Sequence, residues 1–352
     1  MRPMTERPAW TTPLFGAAAA VVVLAGLQAA GGLVGPVFLA LVLIVAVTPI
    51  SSALQHRGLP RWLATAVMLL TVYALLVGLA GALVLAVAEL TNVLPGYAPR
   101  VNVLLGDAAD RLQALGVSRV QIQAALDTFD YSSLVVFLQG VLGQVAGLLT
   151  TLLLILGVLL FMAVDAASFP ERLRALSRTR PQIVAALTSF AHGTRRYLGV
   201  AAVFGLAIAV LDTVVLLVLG VPLALLFGLL AFVANFVPNV GFLLALAPPA
   251  LLALLEGGPG LMTAVVVAFL VINTVLQTIV QPRFVGDAVG LSVTVTFLAL
   301  VFWGFVIGPL GALLAIPLTL LAKALLVDLD PRLHWVEGLV SHIAPAPPAR
   351  SD

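Results

Sequence analysis

Long apolar stretches, several of them about 20 residues or more in length, set the strongest limit on how this chain can fold. An α-helix rises about 1.5 Å per residue, so about 20 residues cross the roughly 30 Å hydrocarbon core of a membrane. Alternating polarity over about ten residues, the pattern of a membrane β-barrel, is missing from the sequence. The apolar stretches lie near 14–33, 36–54, 62–88, 141–164, 198–219, 222–255, 260–280 and 292–327. We therefore predict an all-α, polytopic integral membrane protein with about 8 hydrophobic segments.

The composition agrees with a membrane protein. Hydrophobic residues make up 62% of the chain and charged residues 9%, whereas soluble chains carry about 25% charged residues. The net charge of +2 is small and says little about partners, and the sequence has no basic, aromatic patch that would suggest a nucleic-acid partner. The chain has no cysteine, which excludes disulfides, thiol nucleophiles and cysteine-based metal sites. The first apolar stretch ends without a small-residue cleavage site, so we expect a retained helix rather than a signal peptide.

Arginines predict which loops lie in the cytoplasm, because cytoplasmic loops of membrane proteins are enriched in Lys and Arg. Arg2 and Arg7 precede the first apolar stretch, and a cluster of arginines follows the fourth, at positions 172, 174, 178, 180, 195 and 196. The stretch 89–140 instead contains more acids than bases and has the spacing of an amphipathic helix. We therefore predict that this stretch is external and that both termini are cytoplasmic.

The same reasoning divides the chain into segments. Three transmembrane helices occupy 1–90, and an external amphipathic excursion follows in 91–140. A fourth transmembrane helix occupies 141–165, and a cytoplasmic basic amphipathic segment follows in 166–197. A transport unit built from two interrupted repeats occupies 198–327, and a cytoplasmic tail occupies 328–352.

An internal repeat relates two interrupted apolar stretches in the second half of the chain. Setting Gly241 against Gly311 aligns FVPNVGFLLAL with VIGPLGALLAI, a period of 70 residues, and one uninterrupted helix precedes each copy. The residues that break the two copies are Pro238, Gly241, Gly308, Pro309 and Gly311. Paired segments interrupted by Gly and Pro indicate the binding site of a transporter, although two leucine-rich segments can also resemble each other by chance.

Each interrupted stretch is either a re-entrant hairpin or a kinked helix that spans the membrane. A hairpin at 222–255 returns the chain to its starting side, so that Glu256 is external and Arg283 is cytoplasmic; a kinked helix places Glu256 in the cytoplasm. The loop EGGPG holds an acid and no base, while QPRFVGD holds Arg283, so the bias of basic residues towards the cytoplasm favours hairpins. We predict an inverted repeat of helix plus re-entrant hairpin.

Three sequence stretches together resemble the autoinducer-2 exporter (AI-2E) family of bacterial permeases. They are TPISSALQHRGLPRWLATAVMLL at 48–70, ANFVPNVGFLLALAPPALLALLEGG at 234–258 and QTIVQPRFVGDAVGLSVTVTFLALVFWGFVIGPLGALLAIPL at 277–318. The resemblance covers nearly the whole chain. It implies a permease of the bacterial cytoplasmic membrane that exports autoinducer-2 or exchanges sodium for protons. It also implies a homo-oligomer, a pentamer, surrounded by membrane lipids.

Asp212 lies near the middle of the apolar stretch 198–219. A carboxylate at the centre of a bilayer costs about 2.5–3.5 kcal/mol on insertion scales, so such a residue usually faces a cavity or a partner. Asp212 is therefore a candidate site for a coupling proton or cation. The alternative is a protonated or hydrogen-bonded Asp that fixes helix packing.

Five side-chain amides are candidates for binding a solute or an ion. Asn273, Gln277 and Gln281 are spaced four residues apart, so they share one face of the helix that precedes the second copy. Amides donate and accept hydrogen bonds, which suits a polyhydroxylated solute or a coordinated cation. The alternative is amide bonding between helices. Asn235 and Asn239 adjoin the first break, where they either face a watery cavity or cap a kinked helix.

The sequence shows no catalytic motif. Its histidines fall in basic loops or in the tail, at His56, His192, His334 and His342. Neither a pair of histidines at metal-binding spacing nor a phosphate-binding glycine loop is present, so we expect no enzyme activity, metal or cofactor. We predict a transporter that moves a small polar solute or signalling molecule by alternating access. The movement would be driven by the gradient of the solute or by proton or sodium flow. A cation/proton antiporter and a channel-like protein are the alternatives.

Overall fold

Helices account for every element of secondary structure in the described part of this computed structural model. The structure describes residues 11–97, 99–100, 103, 106, 109–110, 113–116, 118, 131–166, 168–237, 240–281 and 291–329. Part of the predicted excursion 91–140, including residues 119–130, lies outside the described residues, as do the loop that holds Arg283 and most of the predicted tail. The prediction of an all-α, polytopic membrane protein is confirmed.

The helices are named in chain order. In the first half, α1 is Thr11–Ala29, α2 is Gly31–His56, α3 is Arg61–Val93 with a 3-10 turn at Leu94–Tyr97, α4 is Tyr131–Ala166 and α5 is Phe169–Ser177. In the second half, α6 is Pro181–Val218, α7 is Ala224–Ala234, α8 is Gly241–Asn273 with a π-helix at Thr274–Val280, α9 is Val293–Ile307, α10 is Pro309–Leu313 and α11 is Ala315–Leu326.

Five helices in the described part of the chain are long and apolar enough to cross a membrane, within Gly31–His56, Arg61–Leu85, Leu149–Ala166, Pro181–Val218 and Gly241–Gln277. One of them, α6, has 38 residues, so the predicted segment 166–197 runs into the crossing helix without a break from Pro181 onwards. By contrast, α7, α9 and α11 are apolar but have 11, 15 and 12 residues. Even 15 helical residues reach only about 22 Å, so none of these three crosses the hydrocarbon core alone.

The chain forms two compact units. The first unit contains Met1–Ala46, Val158–Arg195 and Val289–Asp352, and the second contains Val47–Gly157 and Arg196–Ala288. The first interrupted copy of the repeat therefore belongs to the second unit, and the second copy belongs to the first unit. The predicted segment boundaries, including one unit over 198–327, and the inverted orientation of the two copies stay predictions.

The first interrupted stretch forms a helical hairpin in the second unit. Ala234 of α7 and Ala245 of α8 pack together near the turn. Farther from the turn, Phe227 lies in one buried cluster with Ala250 and Ala253. The contacting residues are at similar distances on either side of the turn, so α7 and the first half of α8 are folded back on each other. This geometry is a hairpin rather than a kinked spanning helix.

Glycines at equivalent positions allow the two arms of each hairpin to approach closely. A β-carbon at Gly241 would overlap the carbonyl oxygen of Ala234, and one at Gly311 would overlap the carbonyl oxygen of Trp303. Any larger residue at these positions would force the arms apart. Gly241 and Gly311 are the residues that the internal repeat aligns, so the repeat corresponds to a shared packing feature.

The second interrupted stretch folds back in the first unit. Its first arm is α9, and its second arm consists of the consecutive helices α10 and α11. The indole Nε1 of Trp303 on α9 donates a hydrogen bond to Thr319 Oγ1 on α11 at 3.0 Å. The tip of this hairpin packs against α2, where Gly35 lies beside Ile307.

The helix α8 is divided by a break at Gly258. This residue has φ 74° and ψ −166°, a conformation that is essentially confined to glycine. Pro259 follows the break and fits the first turn of a new helix, where its missing N–H is not needed. The hairpin arm therefore ends near residue 257, and a separate return helix runs over 259–273 and continues into the π-helix.

Both ends of the first hairpin lie at one end of the second unit, beside the end of α3. Tyr97 Oη donates a hydrogen bond to Glu256 Oε2 at 2.6 Å, and Arg100 Nη2 donates to the backbone oxygen of Glu256 at 2.9 Å. Tyr97 also packs against the buried cluster that contains Leu216, from the end of α6 that leads into the hairpin. The hairpin therefore enters and leaves on the same side, where α3 ends.

Cysteine labelling checks this arrangement, because the native chain has no cysteine. We expect Gly96→Cys and Glu256→Cys, both at exposed positions, to react with a membrane-impermeant maleimide added to intact cells. Gln281→Cys should react only after permeabilisation, because the 25 residues from Glu256 to Gln281 reach about 37 Å as a helix. Reaction of Glu256→Cys and Gln281→Cys from the same side would contradict the hairpin.

Candidate functional site

Three of the predicted candidate residues meet at the tip of the first hairpin. Asn235 follows the last residue of α7, Asn273 is the last residue of α8, and Gln277 lies in the π-helix. Asn273 is buried, and the other two are partly buried. Asn235, Asn273 and Gln277 are called the amide cluster below.

Hydrogen bonds join the three side chains to one another and to the backbone. Gln277 Nε2 donates to Asn235 Oδ1 at 3.1 Å and to Asn273 Oδ1 at 3.0 Å. Asn235 Nδ2 donates to the backbone oxygen of Ala201 on α6 at 2.8 Å, and Asn273 Nδ2 donates to that of Phe269 at 2.8 Å. The cluster therefore links α6, the hairpin tip and the return helix.

The amide cluster retains hydrogen-bonding capacity after these contacts. A side-chain amide has two N–H donors and one carbonyl oxygen. Gln277 uses both of its donors, whereas Asn235 and Asn273 each use one. One N–H group of Asn235, one N–H group of Asn273 and the side-chain oxygen of Gln277 therefore have no hydrogen-bond partner among the described residues. The cluster carries no formal charge, so it suits a neutral solute that both donates and accepts hydrogen bonds.

The π-helix determines which amides take part. Its i→i+5 hydrogen bonds widen the turn, and Gln277 lies at its centre, within Thr274–Val280. Beyond a widened turn, the four-residue spacing no longer follows one helix face. Gln281 comes after the π-helix and has no hydrogen bond to the cluster among the described residues. π-Helical turns in α-helices often occur at functional sites.

Asp212 lies on α6 but outside the amide cluster. Gly205 marks the level of Asn235 on this helix, because a β-carbon at Gly205 would lie 2.9 Å from Asn235 Nδ2. Seven residues separate Gly205 from Asp212, which corresponds to about 10 Å along the helix axis. The amide cluster and Asp212 are therefore two separate polar features of the second unit.

The Asp212 carboxyl group is fully buried, with 0% of the residue exposed. Neither of its oxygens has a hydrogen-bond partner among the described residues. It lies on the buried face of α6 together with Ile208 and Leu216. The hydroxyl of the neighbouring Thr213 donates to the backbone oxygen of Ala209 within the same helix. Burial of a polar group without a partner is costly.

The break in the second hairpin is made of packing groups. Gly308 and Pro309 interrupt the helices between α9 and α10, and Gly311 is buried where the arms approach. Val306 and Ile307 beside the break are also buried. No hydrogen-bonding side chain occupies residues 305–311, so this break offers a solute only backbone groups.

The break in the first hairpin differs in chemistry. The 70-residue repeat pairs Asn235 with Phe305, so the amide at the first tip has an apolar counterpart at the second. Pro238 and Asn239 were predicted to contribute to the first break, and both lie outside the described residues. Among the described residues, only the break in the first hairpin carries an amide side chain, that of Asn235.

Two polar contacts were not foreseen from the sequence. Tyr197 Oη on α6 donates to the backbone oxygen of Phe236 at the hairpin tip, at 3.0 Å. At the hairpin base, burial and the hydrogen bond with the charged Glu256 raise the pKa of Tyr97 to about 12, so its phenol remains a donor at neutral pH. A helix break leaves carbonyls that need a donor, but the identity of the donor depends on tertiary packing.

The described residues contain no group of three His, Asp or Glu side chains placed to hold a metal ion. The candidate site consists of the three neutral amides, and the carboxyl group of Asp212 lies apart from them on α6.

Family comparison accounts for almost the whole chain. The family model for AI-2E family transporters matches residues 17–329. The chain belongs to the AI-2E transporter family. A protein of Haemophilus influenzae, named only as a candidate transport protein, is 30% identical over 318 residues, which cover 88% of this chain and 90% of the relative.

Two proteins of Escherichia coli strain K12 are similarly related to this AI-2E chain. The AI-2 transport protein TqsA is 30% identical over 303 residues, covering 86% of this chain and 88% of TqsA. YhhT, also named as a candidate transport protein, is 30% identical over 307 residues, covering 87% of each chain. The family and the apolar helices identify this chain as a multi-pass membrane transporter of the AI-2E type.

Proposed function

We propose that this transporter moves a small, neutral, hydroxyl-rich solute, such as the signalling molecule autoinducer-2, across the bacterial cytoplasmic membrane by alternating access. The solute would bind to the amide cluster at the tip of the first hairpin. Both termini would lie in the cytoplasm. The observation that carries the proposal is the hydrogen-bonded group of three amides, one from the hairpin tip and two from the return helix, at a helix break in the second unit.

The chemistry of the amide cluster supports a neutral solute. A hydroxyl-rich molecule loses hydrogen bonds to water when it enters a buried site, so the site must provide both donors and acceptors. The amide cluster has both left over and brings no net charge that would favour an ion. The relative TqsA carries autoinducer-2 transport in its name, which supports the same substrate class for this chain.

The depth of the tip supports alternating access. The arm that leads to the tip, α7, has 11 residues, which places the tip about 16 Å from the hairpin base. In a hydrocarbon core of roughly 30 Å, the tip then lies near the midplane. The Gly258 break separates the hairpin arm that precedes it from the return helix that carries Gln277. A rotation at this break would part Gln277 from Asn235.

Asp212 is the candidate coupling group, and it favours a second candidate function, cation/proton antiport. A buried carboxyl group without a hydrogen-bonding partner has both oxygens available to take up a proton or to coordinate a cation. Among the described residues it makes no hydrogen bond that would fix helix packing, which was the alternative role. We propose that it couples solute movement to a proton or sodium gradient.

We further propose a homo-oligomer, a pentamer by family resemblance, in contact with lipid and with no catalytic step. Large apolar side chains such as Leu70, Leu75 and Leu153 are exposed on α3 and α4. These side chains can be covered by lipid or by neighbouring copies.

Flux of labelled autoinducer-2 in proteoliposomes tests the amide cluster. Asn273→Leu and Gln277→Leu, made singly, should raise the KM by about three- to tenfold, equivalent to about 0.7–1.4 kcal/mol per lost hydrogen bond. Gln281→Leu is the matched control, because the Gln281 amide lies on the same helix and, among the described residues, has no hydrogen bond to the cluster. An equal loss in Gln281→Leu, or reduced folding with an unchanged KM, would contradict the proposed site.

Gradient dependence of the same flux tests Asp212. Asp212→Asn should keep the folded yield of the protein, because the carboxyl oxygens have no partner to lose among the described residues. The variant should transport solute at a rate that no longer responds to an imposed proton or sodium gradient. If Asp212→Asn responds to both gradients as the native protein does, Asp212 has no part in coupling.

A further inference from the structure

Tyr197 on α6 donates a hydrogen bond to the hairpin turn. Among the described residues, this is the one hydrogen bond that α6 donates to the turn. Tyr197 Oη donates to the backbone oxygen of Phe236 at 3.0 Å. Phe236 follows Asn235 directly, in the turn between α7 and α8. No backbone N–H bonds to this oxygen among the described residues. The hydroxyl of Tyr197 therefore satisfies a carbonyl that the helix break has freed.

A second hydrogen bond of opposite direction lies one helical turn away. The backbone oxygen of Ala201, four residues after Tyr197, accepts from Asn235 Nδ2 at 2.8 Å. Residues four apart lie on one face of a helix, so α6 holds the turn at two adjacent points. One contact fixes the backbone after Asn235, and the other fixes its side chain.

These two contacts determine the direction in which the side-chain oxygen of Asn235 points. With its Nδ2 bonded to α6, Asn235 presents Oδ1 to Gln277 Nε2 at 3.1 Å. Loss of the Tyr197 hydroxyl would leave the Phe236 oxygen to find another donor. Because unpaired backbone groups are strongly disfavoured at membrane depth, the turn would shift, and Asn235 would move with it.

We propose that Tyr197 is a positioning residue for solute binding: its hydroxyl holds the hairpin turn so that Asn235 stays aligned with Gln277. This inference rests on the proposed function of the amide cluster. Tyr197 acts through the turn and does not itself touch the solute.

Tyr197→Phe, with Tyr73→Phe as the matched control, tests this proposal. Tyr73 Oη also donates to a backbone oxygen of another helix, that of Leu156, within the same unit. Each variant therefore loses one hydrogen bond between a tyrosine and a carbonyl and keeps the aromatic ring. They differ in position, because Tyr197 contacts the hairpin turn.

Hydrogen–deuterium exchange of the purified protein, without solute, measures how firmly the turn is held, because backbone amides exchange when the local structure opens. We expect amides in 235–241 to exchange about tenfold faster in Tyr197→Phe, equivalent to ~1.4 kcal/mol of opening free energy, and at the native rate in Tyr73→Phe. Native exchange in Tyr197→Phe would overturn the proposal. Equal acceleration in both variants would also overturn it, since it would indicate general destabilisation.

Autoinducer-2 flux then measures the consequence for binding. Tyr197→Phe should raise the KM by about tenfold at an unchanged maximal rate per folded protein, and Tyr73→Phe should not. A loosened turn with a native KM would overturn the positioning role. If the native protein moves no autoinducer-2, the proposed substrate is wrong, while the exchange measurement still decides whether Tyr197 holds the turn.

Discussion

Backbone groups that leave a helix inside a membrane must find partners within the protein, because hydrocarbon supplies none. This constraint shapes the first hairpin. Its turn interrupts two apolar helices at a depth of about 16 Å from the hairpin base, and its carbonyl at Phe236 is satisfied by Tyr197. The same helix, α6, accepts the side chain of Asn235 through Ala201. The contacts with α6 that satisfy the backbone of the turn also hold the side chain of Asn235 in the amide cluster. The same packing of the turn on α6 therefore serves both purposes.

The two hairpins share a packing solution but differ in chemistry. Gly241 and Gly311 let the arms of each hairpin come together in the same way. The first turn then carries Asn235, whereas the equivalent position in the second is Phe305. The two copies therefore share a packing feature, while the first differs from the second in carrying an amide at its break. The buried carboxyl of Asp212, about 10 Å from the level of Asn235, adds a titratable group that does not compete with the amides for hydrogen bonds.

The sequence predicts those features that depend on local pattern. Apolar length predicts the crossing helices, and the Gly and Pro residues of the repeat predict the two hairpins, because close packing and helix breaks are set by residue type. The contact between Gln277 and Asn235 joins residues 42 positions apart, and only tertiary structure brings them together. Gln281 was grouped with Asn273 and Gln277 on the assumption of a regular α-helix, and the π-helix at Thr274–Val280 changes that spacing. Tyr197 has no local signal at all, since its role depends on the turn that packs beside it.

The central claim is that the amide cluster at the first hairpin turn binds the transported solute. An experimental structure of the protein in a lipid environment, determined with and without autoinducer-2, tests it most directly. The account predicts solute density within hydrogen-bonding distance of Asn235 and Gln277, with the direct contact between these two side chains opened to admit it. Solute density elsewhere, with the contact between Gln277 Nε2 and Asn235 Oδ1 intact in both structures, would contradict the account.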